Sequence, residues 1–416
     1  MLTYLDKAGH NMELILRQIA IVFLLLYLTG CGSGEDEPFV NVPTQSPQGT
    51  LLEGFVANHS LQGLYNSITV SYSPVARTAT PVPRVHNGDI LFQEGAHDGV
   101  FAAASPTFFT NNPMRAVNYD FPIGNTGLGS MSIETTANSG APVVAPYATE
   151  PGGGLAVFSL DSNMATSPTL GVMLKAVPSG ERSLSSSNFT GRWGYVSMTH
   201  LGSVVAAELD FAGGNVTGQG FHSNTTGVVS EFSMPTLTST YDINPNGDKL
   251  LFMDSTWFVN TDTSIAMTGE ATSVGSDRLS LLFRPLRSTD IVDGQFEVFQ
   301  WLVRSNNSSL GTTGAPAAAA VAAHEVISTG TIQFSSGSAT LSNILSVNNS
   351  ESYQLQPGSD SIWSFPSLEN NLDDNVRLRI LFSADRKFLF GVDYANDRDE
   401  RTALLVGVRR SSPRTN

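Results

Sequence analysis

Cysteine and charge are both scarce in this chain. Cys31 is the only cysteine among 416 residues, so no disulfide can form within one molecule, and the fold depends on buried apolar area instead. Only 14% of the residues are charged, and the runs of Glu, Lys and Arg that helices favour are few. The formal net charge of −15 gives a surface that repels nucleic acid and anionic lipid, so nucleic acid is not an expected partner.

Sequence motifs for catalysis are missing as well. The chain has no Gly-x-Ser-x-Gly elbow, no His-Glu-x-x-His zinc motif and no phosphate-binding loop. Its seven histidines are scattered, and those after residue 30 form no close pair for a metal ion. We therefore predict no catalytic residue, no metal site and no cofactor.

One acidic segment resembles the first half of a calcium loop. Asp242, Asn244, Asn246 and Gly247 place oxygen-bearing side chains at alternate positions, as a hard cation requires. The twelfth position is Met253, where a bidentate glutamate is needed. A tight turn is therefore the favoured interpretation of this segment.

A second acidic cluster lies near the C-terminus. Its residues suggest two alternative functions. The cluster would bind calcium, or it would supply the paired carboxylates of a glycan hydrolase that acts in the cell envelope. Because it lies between two apolar strands and includes Arg398 and Arg401, a hairpin loop is the favoured interpretation. The cluster within residues 393–400 consists of Asp393, Asn396, Asp397, Asp399 and Glu400.

The composition favours β structure. Glycine and proline number 38 and 21, and Ser, Thr and Asn are frequent. Short alternating runs separated by turn residues predict an antiparallel meander, and closure into a barrel or stacking into a sandwich would protect its edges. In the middle of the chain these runs are Ser203–Phe211, Thr238–Ile243, Lys249–Phe252, Thr263–Thr268 and Arg278–Phe283.

Internal similarity divides the chain into three units. Each unit opens on an apolar residue, any residue, glycine, any residue and an aromatic residue, and each ends on a strand that finishes with a cation. The openings are Leu61–Tyr65, Phe189–Trp193 and Val292–Phe296, and the endings are Leu170–Lys175, Leu279–Arg284 and Leu404–Arg409. We predict β units at residues 55–178, 188–287 and 291–411, with linkers at Pro178–Ser187 and Arg287–Asp293.

The N-terminal region predicts where in the cell the protein is located. An apolar run, Ile19–Leu28, follows Arg17 and is too short for a membrane span of about 20 residues. The tetrad Leu28, Thr29, Gly30 and Cys31 resembles the lipobox of bacterial lipoprotein signals. Translation could begin at Met1 or at Met12.

The lipoprotein resemblance implies a lipid anchor. Residues 1–30 would be a signal peptide that is removed, and Cys31 would be the attachment site for a diacylglyceryl group and an N-linked acyl chain such as palmitate. Several chains on one residue anchor a protein stably. Residues 31–54 then form an acidic, apolar-poor tether. The residue after Cys31 is Gly32 and not aspartate, and in this respect the chain resembles lipoproteins that are sent to the cell outer membrane.

The second unit resembles the calycin and lipocalin family in its opening, Asn188, Phe189, Thr190, Gly191, Arg192 and Trp193. In that family a Gly-x-Trp sequence starts the first strand and an arginine of the last strand covers the indole. The resemblance implies that Trp193 and Arg284 close one end of a barrel, which could hold a small apolar ligand. Lys175 and Arg409 would serve Tyr65 and Phe296 in the same way.

Together these observations predict an all-β protein of about three tandem antiparallel barrel or sandwich units on a flexible tether. We expect a binding or structural module of the cell envelope, held at the outer membrane by lipid. Its expected partners are the membrane, through the anchor, and a protein, a glycan or a small apolar ligand. The alternative is the glycan hydrolase that would use the carboxylates of residues 393–400.

Overall fold

The structure is a computed structural model. It describes residues 61, 63–71, 85–92, 98–103, 107–109, 112–119, 127–135, 143–150, 152–160, 169–177, 180, 181, 183–199, 202–223, 229–270, 278–287, 290, 292–304, 324–345, 352–357, 361–365, 378–393 and 401–410. Cys31 and the predicted signal and tether lie outside these ranges. Within them, no helix has both the length and the apolar composition required to span a membrane.

Strands make up almost all of the described chain, which confirms the predicted all-β class. The helical structure among the described residues consists of one 3-10 turn, Ser186–Asn188. The strands are β1 Gly63–Ser71, β2 Val85–Phe92, β3 Asp98–Ala103, β4 Thr107–Phe109, β5 Asn112–Tyr119, β6 Leu128–Thr135, β7 Val143–Thr149, β8 Leu155–Leu160, β9 Thr169–Lys175, β10 Gly191–Thr199, β11 Val204–Ala212, β12 Asn215–Ser223, β13 Val229–Ile243, β14 Lys249–Phe252, β15 Ser255–Val259, β16 Ile265–Glu270, β17 Arg278–Phe283, β18 Gly294–Arg304, β19 His324–Ser335, β20 Ser338–Ser342, β21 Ser352–Gln354, β22 Gln356–Pro357, β23 Trp363–Ser364, β24 Leu378–Phe382, β25 Phe388–Asp393 and β26 Arg401–Arg409.

These strands form three successive meanders, of which the second is a closed barrel, the first is completed by one added pairing, and the third has β21 and β22 as its two edge strands. In the first sheet the pairing of β3 with β5 completes a ring of β1, β2, β3, β5, β6, β7, β8 and β9. The second sheet, β10 to β17, is a closed barrel. In the third sheet, β21 pairs with β20 and β22 pairs with β23, and Leu355 alone separates β21 from β22. We call the three bodies barrel 1 (β1–β9), barrel 2 (β10–β17) and barrel 3 (β18–β26).

The three barrels repeat one design at their closing seams, where the first strand pairs with the last. Tyr65 is the register partner of Lys175 in barrel 1, and Phe296 is the partner of Arg409 in barrel 3. Barrel 2 has the same seam between β10 and β17. The predicted internal similarity of three units is therefore a similarity of structure.

The seam strands carry apolar side chains on both faces, because each face packs against a different core. In β17, Leu282 belongs to the interior of barrel 2, whereas its neighbours Leu281 and Phe283 belong to a cluster outside it. That outer cluster contains buried residues of all three barrels, among them Val172 and Phe390. We call it the common core.

The common core joins the barrels into one compact unit. The rings of Phe283 and Phe390 stack with their centroids 4.1 Å apart. Residues 284–287, next to the predicted second linker, are held to barrel 3, since Pro285 bridges Ser383 and the Leu286 N–H donates to Phe382 O at 2.8 Å. The described part of this joint is therefore packed instead of forming a free hinge.

All three barrels point in the same direction. Each starts and finishes at one end, which we call the joint end because the connections between barrels lie there. At the opposite end, which we call the far end, Asn87 Nδ2 donates to Gly269 O at 3.0 Å, and the Arg379 guanidinium lies 5.4 Å from the Phe221 ring centroid. In barrel 3 the strand ends joined by residues 336–337, 358–362 and 383–387 lie at the joint end, and the strand ends joined by residues 305–323, 343–351, 365–377 and 394–400 lie at the far end.

Candidate functional site

The joint end of barrel 2 is closed by an arginine that covers a tryptophan. Arg284 Cζ lies 4.1 Å from the ring centroid of Trp193, within the range of a cation–π interaction. Its Nη2 donates to Asn188 O at 2.7 Å, and its Nη1 donates to Thr190 O at 3.1 Å. Burial lowers the pKa of the Arg284 guanidinium from its ordinary value. The Arg284 side chain therefore covers the indole of Trp193 and holds the segment that leads into β10.

In the other two barrels the last strand also ends on a cation, at the position that Arg284 takes in barrel 2. The first residue of β1, β10 and β18 is a glycine with a left-handed φ of 89°, 102° and 127° respectively. An added Cβ would lie 3.9 Å from Lys175 Cε at Gly63 and 2.9 Å from Arg409 Nε at Gly294. Arg409 Nη2 also donates to Asp293 O at 2.6 Å. Lys175, Arg284 and Arg409, which we call the closing cations, thus lie against equivalent backbone.

Aromatic side chains fill the joint-end half of barrel 2. The Trp193 Nε1–H donates to Phe189 O at 2.6 Å, and the two rings stack with centroids 5.5 Å apart. Further inside, Trp257 lies 6.3 Å from Tyr195 and 6.0 Å from Phe252, centroid to centroid. Side chains of the protein therefore occupy this half of the lumen.

Three equivalent turns meet at the joint end, and we call them the junction turns. They connect β7 to β8, β15 to β16 and β24 to β25. In each, the carbonyl of the first residue accepts a hydrogen bond from the N–H three residues later, at 3.0, 3.2 and 2.8 Å, and that later residue has a left-handed φ of 62°, 61° and 61°. The turns are residues 150–155, 260–265 and 383–388.

The junction turns also hold the last strand of each barrel. In barrel 1 the Lys175 N–H donates to Gly154 O at 2.9 Å. In barrel 2 the Arg284 N–H donates to Ser264 O at 2.8 Å, and in barrel 3 the Arg409 N–H donates to Lys387 O at 2.8 Å. The backbone of every closing cation is therefore bonded to the fifth residue of the junction turn in its own barrel.

A charged contact between barrels 1 and 3 lies among these turns. Glu150 is 5% exposed, and its Oε1 accepts the Gly154 N–H at 2.7 Å. Its Oε2 lies 2.9 Å from Nζ of Lys387, which is also 3.9 Å from Asp385 Oδ2. The negative charge of Asp262 in barrel 2 also favours the charged form of Lys387. Residues of all three barrels thus act on one ammonium group.

The pKa values of this pair follow from burial and charge. Burial raises the pKa of Glu150 above its ordinary value, although the hydrogen bonds from Lys387 and Gly154 oppose the shift. Burial alone would lower the pKa of Lys387, but its hydrogen bond and Coulomb attraction to Glu150 outweigh burial and raise it. The site joins barrels and holds no metal cluster, since no group of three acidic, His or Cys side chains that could hold a metal occurs among the described residues.

The calcium-loop candidate is a hydrogen-bonded turn in the structure. Asn244 Oδ1 accepts the N–H groups of Asp248 at 3.0 Å and Lys249 at 2.9 Å, and Asp242 Oδ1 accepts the neighbouring Ile243 N–H. Gly247 has a φ of 71°. These oxygens serve the turn itself, which confirms the interpretation as a tight turn.

The C-terminal acidic cluster is described only at its first residue. Asp393 is the last residue of β25, is 1% exposed and pairs in register with Ala403, a residue of the barrel 3 interior. Asn396, Asp397, Asp399 and Glu400 lie outside the described residues, as does Cys31. The glycan hydrolase alternative stays a prediction.

Sequence reasoning did not single out Glu150 or Lys387. The glycines that follow Glu150 mark a turn, but nothing in the sequence near either residue signals a partner 237 positions away. The pairing depends on how the barrels pack, which local patterns do not encode.

Comparisons with known proteins leave the family open. No family model matches the chain, and no curated protein matches it. Among solved structures, it is similar to a mutant of transferrin binding protein B from Haemophilus parasuis, with 8% identity over 85% of this chain and 77% of that chain and a TM-score of 0.26. A transferrin binding protein B from Neisseria meningitidis gives 10% identity, 84% and 76% coverage and a TM-score of 0.25. Similarity this low establishes neither a shared fold nor a shared function.

Proposed function

We propose that this protein is a lipid-anchored module of the cell outer membrane that binds a macromolecular partner, and that Cys31 carries the lipid. The observation that carries the proposal is the common direction of the three barrels. Each barrel has both of its chain ends at the joint end, and in barrels 1 and 3 the longest connection, residues 72–84 and residues 305–323 respectively, joins strand ends at the far end.

This arrangement separates attachment from recognition. The predicted tether precedes β1, whose first residue, Gly63, lies at the joint end, and the far end is the end that we propose a partner contacts. Connections between strands tolerate variation and commonly carry binding residues when a rigid scaffold positions them. The closing cations, the junction turns and the common core supply that rigidity. A protein is the favoured partner, because several connections side by side offer a broad surface.

The anchor is tested by labelling. Cells that express the full chain are fed radiolabelled palmitate, and the protein is followed through membrane fractionation. We expect label on the wild-type protein in the outer-membrane fraction, and loss of both label and membrane retention for Cys31→Ser. An unlabelled wild-type protein, or a C31S variant that stays on the membrane, would show that the anchor is absent.

Recognition is tested separately in cells that express the protein. In one variant a Gly/Ser sequence of equal length replaces residues 305–323 at the far end. The matched control replaces residues 93–97 at the joint end of barrel 1. Chemical crosslinking should capture a partner protein with the wild type and the control but not with the far-end variant. Equal capture by all three proteins would contradict recognition at this connection.

A further inference from the structure

The third strand of barrel 3 ends early, and the chain then turns into the barrel. Strand β20 pairs with β19 over five residues, and the ladder ends with Ser342 opposite Thr331. The third strand of barrel 2, β12, pairs with β11 over nine residues. Ile344 and Leu345, which follow the end of β20, are buried and belong to the interior cluster of barrel 3. We call residues 343–345 the strap.

One side chain of β18 bonds the strap at both of its ends. Gln300 is 1% exposed, and it faces the lumen, because side chains alternate along a strand and Val298 and Leu302 belong to the interior cluster. Its Nε2 donates to Asn343 O at 2.7 Å, and its Oε1 accepts the Leu345 N–H at 2.8 Å. The amide of Gln300 therefore satisfies a backbone acceptor and a backbone donor that the strap brings into the barrel.

The backbone of the strap is in an unfavourable conformation. Asn343 has a φ of 54° and Leu345 has a φ of 53°. The left-handed region is uncommon for residues other than glycine, and a bulky residue such as leucine is an outlier there. Such conformations persist where the surrounding contacts impose them. The contacts that hold the strap in the lumen therefore oppose the conformational preference of its own backbone.

The wall of barrel 3 accommodates the strap without being built from it. Gly330 on β19 allows the close approach, because an added Cβ would lie 2.5 Å from Asn343 O and 2.6 Å from Ser342 O. Strand β18 pairs with β19 over eleven residues and with β26 over nine. These ladders use the backbone of Gln300, whereas its bonds to the strap use the side chain. The bonds to the strap can therefore break while the wall strands stay paired.

We propose that the strap is a lid of barrel 3 and that Gln300 holds it closed. The lid opens when the strap leaves the lumen while the strands of the wall remain paired. Opening withdraws Ile344 and Leu345 from the interior and relieves the left-handed conformation of the strap, and water then satisfies its freed backbone groups. Thr69 and Ser197 take the position of Gln300 in barrels 1 and 2, and both lack the reach of a glutamine. The lid depends on neither the anchor nor a partner.

The test measures how fast a buried thiol reacts in the folded full chain. Cys31→Ser removes the one native cysteine, and Ile344→Cys then places a thiol on the strap. The matched control is Ile332→Cys, since Ile332 is an isoleucine of β19 that is equally buried in the same interior cluster. Labelling by a thiol reagent is followed by mass spectrometry at increasing urea concentrations below the unfolding transition. The dependence of the labelling rate on urea measures how much surface the opening exposes.

We expect the I344C thiol to react through a local opening. Its labelling should be at least roughly tenfold faster than that of the I332C thiol and should depend less steeply on urea, because a local opening exposes less surface than global unfolding does. Equal rates with equal urea dependence would show that the strap leaves the lumen only when the barrel unfolds, and would overturn the proposal.

Two further variants test what holds the lid closed. Gln300→Met removes both bonds to the strap at similar side-chain length, and it should raise the labelling of I344C relative to I332C at least about tenfold. Asn343→Val places a β-branched residue at an exposed left-handed position, and it should raise this ratio about five- to thirtyfold. Gln333→Met, at an exposed position of β19, is the control and should leave the ratio unchanged.

The ratio of the two labelling rates separates lid opening from a general loss of stability, which would accelerate both thiols. An unchanged ratio in Q300M and N343V would overturn the proposal. If Q300M does not fold by circular dichroism, N343V decides the outcome, because its added side chain lies on the exposed side of the strap.

Discussion

The carboxylate of Glu150 in barrel 1 lies 2.9 Å from the ammonium group of Lys387 in barrel 3. The two residues occupy equivalent turns, each of which leads into the last but one strand of its own barrel. Barrels 2 and 3 begin this turn with Asn260 and Ser383, which are neutral, so the buried charge at this position is specific to barrel 1. The pair therefore marks a contact between barrels and is not a general requirement of the turn.

Loss of Lys387 should destabilise the protein. In Lys387→Met the carboxylate of Glu150 stays buried without its charged partner, and we expect the free energy of unfolding to fall by about 1 to 3 kcal/mol. Urea denaturation followed by circular dichroism measures the change. The double variant Glu150→Gln, Lys387→Met should recover most of the loss, because the glutamine can still accept the Gly154 N–H. A double variant as unstable as K387M would show that the charge on Glu150 is not the cause.

The raised pKa of Glu150 predicts a specific pH dependence. The folded protein binds this proton more tightly than the unfolded chain does, so the contribution of Glu150 to the free energy of unfolding rises as pH falls from above its raised pKa towards 4.5. Glu150→Gln removes this contribution to the free energy of unfolding. Glu297, whose pKa is also raised by burial, is present in both proteins. Urea unfolding of both proteins at several pH values between 7 and 5 measures the difference. A difference that is constant or has the opposite slope contradicts the assignment.

Replacing Thr263 with glycine should stabilise the folded protein. It is β-branched and has a φ of 61°, whereas the equivalent residue of barrel 1 is Gly153, with a φ of 62°. The left-handed conformation costs an ordinary residue roughly 1 to 2 kcal/mol. We expect Thr263→Gly to raise the free energy of unfolding by about 1 kcal/mol, measured by urea denaturation. Gly153→Thr is the reciprocal control and should destabilise; a stabilising G153T would contradict the explanation.

Arg284 should contribute to stability through its contacts with Trp193 and with the carbonyls of Asn188 and Thr190. Arg284→Met removes the cation and its hydrogen bonds, and we expect a loss of about 2 kcal/mol in the free energy of unfolding together with a change in tryptophan fluorescence. Arg284→Lys, the residue type that closes barrel 1, should retain part of the stability. An unchanged R284M protein would show that the cation does not hold the barrel closed.

Much of the fold follows from the sequence of individual strands. Arg278–Phe283 and Lys249–Phe252 were predicted from alternation and turn residues, and they coincide with β17 and β14. The turn at Asn244–Gly247 followed from its composition. The all-β class and the three similar units are confirmed for the same reason, since period-two alternation and turn chemistry are local properties.

Strand β12 could not be predicted from such patterns. Gly218 and Gly220 weaken a strand in isolation, but an added Cβ would lie 2.5 Å from Leu209 Cδ2 at Gly218 and 2.3 Å from Ala206 O at Gly220. Both glycines are explained by the close neighbouring strand, which is tertiary information.

The common core has a consequence for how the protein melts. Excised from its neighbours, any one barrel would present leucine, valine and phenylalanine side chains of its seam strands to water, and such a surface promotes aggregation. Duplicating, deleting or exchanging one barrel is therefore not a neutral change in this architecture. Calorimetry of the intact chain should show a single heat-absorption peak, because none of the three bodies keeps a solvent-compatible exterior once the others unfold.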